Sequence, residues 1–250
     1  MKPLTIVLGG YGFNADAELA EAFRMVGSTV ERVHLSDLLA EPGLLDRAGI
    51  LAFPGGFSFG DHLGSGQVVA LLCRRSLGPA LAGFVARGGA ILGICNGFQV
   101  LTKIGILPGG GSGLERQVTL THNSSGSFVD GWVDVRFERN GPCVWTTGVE
   151  DRMLPVRHGE GRFVTRDTTV LQSLEAGGLV ALRYTPQSNP NGSVNDIAGI
   201  CDPSGRILGL MPHPEAFLVP ENHPHRRHGT SDRPALELFA NGVHAVAAAS

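Results

Sequence analysis

No stretch of this 250-residue chain approaches the roughly 20 consecutive apolar residues that a membrane-spanning helix needs. Met1-Lys2-Pro3 runs straight into a short strand-like segment instead of a signal peptide, so a soluble, cytoplasmic protein is expected. Cysteine is sparse. The four present, at 73, 95, 143 and 201, form no C-x-x-C pair and no dense pattern, so neither a zinc knuckle nor a disulfide framework is indicated. Charge is sparse too, at 17%, and 20 basic against 23 acidic residues leave a net charge of −3, which argues against nucleic-acid binding through a strongly basic surface. The chain has no G-x-x-x-x-G-K-[ST] phosphate loop, although other ATP folds also lack one, and it has neither internal repeats nor a low-complexity linker. Glycine, by contrast, is abundant. Its 36 residues are too many for a helical bundle and suit a turn-rich α/β architecture, and the length suffices for one domain, expected over 1–250.

Short apolar runs at 4–8, 29–35 and 50–53 read as strands, with a helix over 16–26 between the first two whose inward residues are Ala17, Ala20, Phe23 and Leu19. A helical stretch from 65 or 66 to about 75, broken around Gly78-Pro79, resumes to Arg87. The run at 90–94 enters a helix over 96–104 that closes at Gly105, and a glycine-rich stretch over 108–113 ends this half. This spacing begins a doubly wound parallel sheet, in which ligands sit at the C-terminal ends of strands. The second half alternates apolar and polar residues over 118–122, 132–137, 142–145 and 155–158, as antiparallel or edge strands do. A brief helix is expected at 168–176, strands at 179–184, 197–202 and 206–211, and a terminal helix over 233–249 with Leu236, Phe239, Val243 and Val246 inward. The fold class is therefore α/β: an open, mostly parallel doubly wound sheet flanked by helices, with additional antiparallel strands in the second half.

Three places carry chemistry. Gly93-Ile94-Cys95-Asn96-Gly97 has the layout of a nucleophile elbow with Cys in place of Ser: the glycines let the chain turn, and the helix opened by Asn96 would lower the thiol pKa. A buried thiol between a strand and a helix is the alternative. Pro54-Gly55-Gly56-Phe57 follows a strand directly and can aim backbone N–H groups outward as an oxyanion hole. His213-Pro214-Glu215 follows the last apolar strand; proline keeps His213 extended, so Glu215 at i+2 can brace the imidazole as a base needs. A rigid turn bearing a surface carboxylate is the competing reading. Gly10 to Ala15 formally matches G-x-G-x-x-A, but His34 and Leu35 stand where an acidic ribose ligand belongs, which favours a plain tight turn.

With PGGFSFGD at 54–61, GICNGFQVLTKIGILPG at 93–109, HGEGR at 158–162, NPNGSVNDIAGI at 189–200 and MPHPE at 211–215, the chain resembles the class I (triad-type) glutamine amidotransferases over about 4–245. Within them it is similar to the glutaminase subunits of phosphoribosylformylglycinamidine synthases of purine biosynthesis. The resemblance implies a Cys95, His213, Glu215 triad that hydrolyses L-glutamine, with Gly55, Gly56 and Asn96 at the oxyanion hole and Phe57 and Gln99 near the substrate. It implies no cofactor in this chain, ATP and magnesium in a partner synthetase subunit that receives the ammonia, and a small third subunit as a further candidate partner. His158 is expected to shape the site or an interface and not to act as base. Two features depart from the family: Ala216 stands where an arginine often follows HPE, and 217–233, with histidines at 223, 225 and 228, is long and reads as an exposed basic loop instead of a metal site. Three alternatives stay open: a subunit serving a different synthetase, a non-catalytic glutamine-binding regulatory module, and a protease or deglycase relative, against which HPE speaks.

Overall fold

The computed structural model describes residues 2–109, 114–226 and 233–248. Its main sheet has nine strands in the order β2-β1-β3-β4-β11-β10-β9-β6-β7. In chain order these are β1 (Leu4–Gly9), β2 (Thr29–His34), β3 (Ile50–Phe53), β4 (Ala90–Ile94), β6 (Val129–Phe137), β7 (Arg152–His158), β9 (Val180–Tyr184), β10 (Ile197–Cys201) and β11 (Ile207–Leu210). The sheet is parallel from β2 to β11 and antiparallel from β11 to β7. β5 (Val118–Thr121) and β8 (Arg162–Thr165) form a separate antiparallel pair.

β3, β4 and β11 are buried along their whole length, as strands covered on both faces must be, and this is why their sequences are continuous apolar runs without alternation. One cover contains α1 (Asp16–Met25) packed on α7 (Leu236–Ala247); another contains α3 (Gln67–Ser76) packed on α5 (Asn96–Ile104). Every residue of α5 is buried. Parallel pairing of β3 with β4 and of β4 with β11 sets the C-terminal ends of these three strands side by side. The glycine loop, the cysteine and the histidine each leave from one of those ends, so the topology alone delivers them to one place.

α5 approaches β3 so closely that a Cβ on Gly97 would lie 2.0 Å from the Phe53 carbonyl oxygen. Gly97→Ala is accordingly expected to lower stability by about 3 kcal/mol, read as a lower midpoint in chemical denaturation, because the obstacle is backbone that cannot rotate away. An unchanged midpoint would refute the close approach.

The structure corrects several expectations. Residues 142–145 form no strand: Val144–Thr146 is a 3-10 turn, and Trp145 is buried because α7 packs there, its Gly242 leaving room for the indole. α2 (Leu35–Ala40), a 3-10 turn over Pro42–Arg47, and β8 were not anticipated. α3 and α4 (Gly78–Ala86) part at Leu77, with Pro79 inside the first turn of α4, where its missing N–H costs nothing. Ala17 is exposed while Ala22 joins the core, and in α7 Leu238 is buried where Leu236 is only partly so. The 217–233 segment is not an exposed loop throughout, since His223 is buried against Trp132 and Phe217. Residues 110–113 of the glycine-rich stretch, Arg227 and His228, and Ala249 of the terminal helix lie outside the described residues. No single helix among the described residues is long and apolar enough to cross a membrane; α3 and α4 together have the composition but are bent by 79°.

Candidate active site

Cys95 sits between β4 and α5 with φ 51° and ψ −104°, a conformation that costs a non-glycine residue about 1–3 kcal/mol. The turn is made by the cysteine itself. Gly93 and Gly97, expected to provide it, serve instead to let α5 lie against β3 and β4: a Cβ on Gly93 would sit 2.8 Å from the Gly97 carbonyl. Two backbone bonds hold the strained residue, Cys95 N–H to the Leu210 carbonyl at 2.8 Å and Gln99 N–H to the Cys95 carbonyl at 3.0 Å. The sulfur is thereby presented at the N-terminus of α5, whose first N–H groups have no intrahelical acceptor. Its nearest acceptor is the Arg157 carbonyl, 3.7 Å away.

Gly55 and Gly56 lie beside it. A Cβ on Gly55 would be 2.7 Å from Cε1 of His213 and 3.6 Å from Cβ of Cys95, so loop, base and nucleophile meet at this residue and leave no space for a methyl group. The Gly55 carbonyl accepts from the N–H groups of Asn14 and Ala15, both at 3.2 Å. Carbonyl and N–H of one trans peptide point in opposite directions, so the Gly56 N–H is aimed away from that turn. The Gly12 carbonyl accepts from Phe57 N–H at 2.9 Å. The G-x-G-x-x-A turn is thus the backing of the glycine loop, as its plain-turn reading anticipated in kind but not in purpose.

His213 Nδ1 and Glu215 Oε1 are 2.6 Å apart, and both residues are almost completely buried. The brace forms as expected, by a different route: His213 has φ −109° and ψ 79°, and Pro214–Ala216 is a 3-10 turn instead of extended chain. Burial by itself would strip the proton from this imidazole. The Glu215 carboxylate and the nearby Cys95 sulfur outweigh it and hold the group up at about 10. At neutral pH His213 is therefore an imidazolium beside the Cys95 sulfur, and its buried Nε2 has no hydrogen-bond partner among the described residues. Such contacts commonly tighten only when substrate arrives.

His158 is the electrostatic opposite. Buried in a β7 position, its ring against Gly161 and Nδ1 3.2 Å from Asn123 Oδ1, it is pushed down to about 4, first by burial and then by the charge of His213. It stays neutral and cannot compete as base. Because its folded value lies below the usual 6.5, the unfolded chain binds the extra proton between pH 6.5 and 4, and stability falls as pH falls through that window, by up to about 3 kcal/mol. His213, raised in the folded state, does the reverse: its contribution is complete below about 6.5 and is lost as pH rises towards 10. His158→Asn should flatten the acid limb of a plot of urea midpoint against pH; an unaltered acid limb would contradict this assignment.

Gly55, Gly56, Phe57, Cys95 and His213 line one cavity of about 110 Å³. Glu215 stands behind His213. The side chains of Asn96 and Gln99 do not line it: both are buried, and Gln99 donates its amide to the Glu160 carbonyl at 2.5 Å instead of turning it towards the thiol. Four turns of 100° return residue 99 to the same side of α5 as residue 95, but that side is covered here by the 159–161 loop. The cavity also exposes Asn14, Glu18 and Arg157. Sequence reasoning passed over them, and only the position of Arg157 next to the HGEGR motif offered any signal.

A cysteine at a strained elbow, an imidazolium braced by a buried carboxylate and an N–H aimed from a glycine loop are groups of the kind that acyl transfer from an amide requires. Comparison with known proteins points the same way. A phosphoribosylformylglycinamidine synthase subunit PurQ of Dehalococcoides mccartyi is 41% identical over 250 residues, covering 97% of each chain. Its counterpart in Methanococcus maripaludis is 40% identical over 236 residues, 90% of this chain and 87% of that one. A solved structure described as PurLQS from Thermotoga maritima superposes with a TM-score of 0.74 at 32% identity, covering 98% and 99% of the two chains. A Trypanosoma brucei CTPS glutaminase domain, 16% identical with a TM-score of 0.58 over 98% and 94%, shares the fold. Residues 2–245 match the CobB/CobQ-like glutamine amidotransferase domain, and the chain belongs to that family.

Proposed function

We propose that this protein is the glutaminase subunit of a phosphoribosylformylglycinamidine synthase, acting as one domain that hydrolyses L-glutamine and passes ammonia to a synthetase subunit in purine biosynthesis. The observation that carries the reading is the convergence of Cys95, His213 and Gly55 on one cavity at the ends of three adjacent parallel strands. The relatives named above support the choice of synthetase.

The Cys95 thiolate attacks the side-chain amide carbon of glutamine, and the negative charge that develops on the amide oxygen is received by the N–H groups of Gly56 and Asn96. His213 gives its proton to the departing nitrogen, so the C–N bond breaks, ammonia leaves and a glutamyl thioester remains. The imidazole, now neutral, takes a proton from water as the oxygen attacks the thioester; glutamate departs and the thiolate–imidazolium pair is restored. Glu215 holds the ring and its positive charge throughout. Phe57, half exposed at the cavity wall, limits the width of the entrance. In this reading ATP and magnesium belong to the partner synthetase, which turns formylglycinamide ribonucleotide into formylglycinamidine ribonucleotide, and a small third subunit completes the assembly.

The test is reconstitution. Mixed with its synthetase, glutamine and nucleotide, the protein is expected to co-elute on size exclusion and to support glutamine-dependent product. Failure of glutamine, but not of added ammonia, to sustain the reaction would overturn the proposal.

A further inference from the structure

The side chain of Asn96 does not face the cavity, yet it is fully buried and carries three hydrogen bonds. Its Oδ1 accepts the Ser58 N–H at 3.3 Å, and its Nδ2 donates to Asp61 Oδ1 at 3.5 Å and to Gln99 Oε1 at 3.0 Å. Ser58 and Asp61 belong to the segment that continues directly from Gly55 and Gly56. That segment needs holding: Phe59, Gly60 and Asp61 are all left-handed, with φ of 54°, 62° and 54°, a run that two non-glycine residues do not adopt unaided. On the side away from α5 it hangs from the 10–14 turn through Phe59 N–H to the Tyr11 carbonyl at 2.6 Å. On the α5 side the holding bonds come from Asn96.

The two proposed oxyanion donors sit on different elements, Gly56 on a loop after β3 and Asn96 on α5. Their separation decides whether one oxygen can receive both, and an oxyanion hole works only if its donors are placed before the charge appears. We propose that the Asn96 side chain is a positioning residue that sets the distance between the two halves of the oxyanion hole, by tying the loop of one donor to the residue that supplies the other. A carboxamide suits the task because it offers an acceptor for Ser58 and donors for Asp61 and Gln99 at once while adding no charge. Aspartate keeps the acceptor but loses the donors and sets a second carboxylate against Asp61, whose carboxyl is already pushed up by burial and by Glu160. Through Gln99 and the Glu160 carbonyl the same chain of bonds reaches the 159–161 loop, so three segments around the nucleophile are held from one residue.

This inference rests on the glutaminase reading, and the experiment separates the two. Wild-type protein in complex with its synthetase is assayed first; no glutamine turnover there would end the glutaminase reading itself. Asn96→Asp and Asn96→Leu are then compared for kcat, KM and two rates of Cys95 alkylation. A glutamine-mimicking chloroketone builds negative charge on its carbonyl oxygen as sulfur attacks, whereas iodoacetamide reacts by displacement and needs no oxyanion hole. Both variants are expected to lose about 10²-fold in kcat with KM changed less than about threefold, and to react with the chloroketone at least about 10-fold more slowly while iodoacetamide labels them at the wild-type rate. Thermal melting checks the fold, and the isosteric aspartate carries the test if leucine does not fold. Turnover within about threefold of wild type in the aspartate variant, or equal slowing with both electrophiles, would overturn the proposal.

Discussion

Cys95→Ala is expected to cut glutamine hydrolysis by about 10⁴-fold or more while leaving the fold in place. The loss is large because the covalent route disappears, and the oxyanion donors alone have no nucleophile to serve. The fold survives because the substitution removes one atom from a residue at the cavity wall, a deletion worth about 1 kcal/mol, and alanine meets the same positive φ that cysteine already tolerates. No other thiol is placed to substitute. Cys73, Cys143 and Cys201 are all buried and none of them lines the cavity that holds Cys95; burial pushes Cys73 up to about 12, and the neighbouring Cys143 together with burial raises Cys201. Labelling the wild type with a glutamine-mimicking electrophile and mapping the adduct should therefore find Cys95 alone. Full hydrolysis by Cys95→Ala would remove the basis of the mechanism.

Glu215→Gln is expected to cost about 10³–10⁴-fold in kcat and, more tellingly, to move the alkaline limb of the pH–rate profile downward. The side-chain volume is kept and an oxygen can still accept from Nδ1, so geometry changes little. Charge does change. Burial favours the neutral imidazole, and the Glu215 carboxylate is the foremost of the influences that hold His213 near 10. With that carboxylate gone, only the Cys95 sulfur opposes burial, and the proton needed by the departing amine is lost at lower pH. Wild-type activity should thus persist to about pH 10 before falling, and the variant should begin to fall closer to the ordinary histidine range. A variant with reduced kcat but an unmoved alkaline limb would show that Glu215 orients the ring without sustaining its charge.

Much of this was legible in the chain. The apolar runs at 50–53, 90–94 and 206–211 stop at Pro54, Cys95 and Pro212, and these breaks mark strand ends whatever the rest of the fold does. The helices at 96–104 and 168–176 are bounded by local signals, Gly105 after the first and Asp167 capping the second through Val170 N–H at 2.9 Å. Where the reading failed, distant partners had decided the outcome. Residues 142–145, Pro-Cys-Val-Trp, hold no polar residue and so no true alternation, and Trp145 is buried by α7, with Asn241 Nδ2 on its carbonyl at 3.0 Å, and not by a strand neighbour. In α7 the same docking turns Leu238 inward and leaves Leu236 at the margin. Gln99 was placed on the correct side of its helix, yet what covers that side comes from Glu160, 61 residues later.

The pattern behind these outcomes is physical. By itself the sequence singled out Cys95, His213 and Glu215, because each is marked by a few consecutive residues: a strand end, a glycine pair, a histidine and a glutamate two apart around a proline. Tertiary structure alone decided that the strain of the elbow falls on Cys95 and not on its glycines, that Gly10 to Ala15 backs the glycine loop, that Arg157 and Glu18 face the cavity, and that two histidines in one protein stand near 10 and near 4. Backbone strain, burial and charge are sums over neighbours in space, and most of those neighbours are far away in the chain.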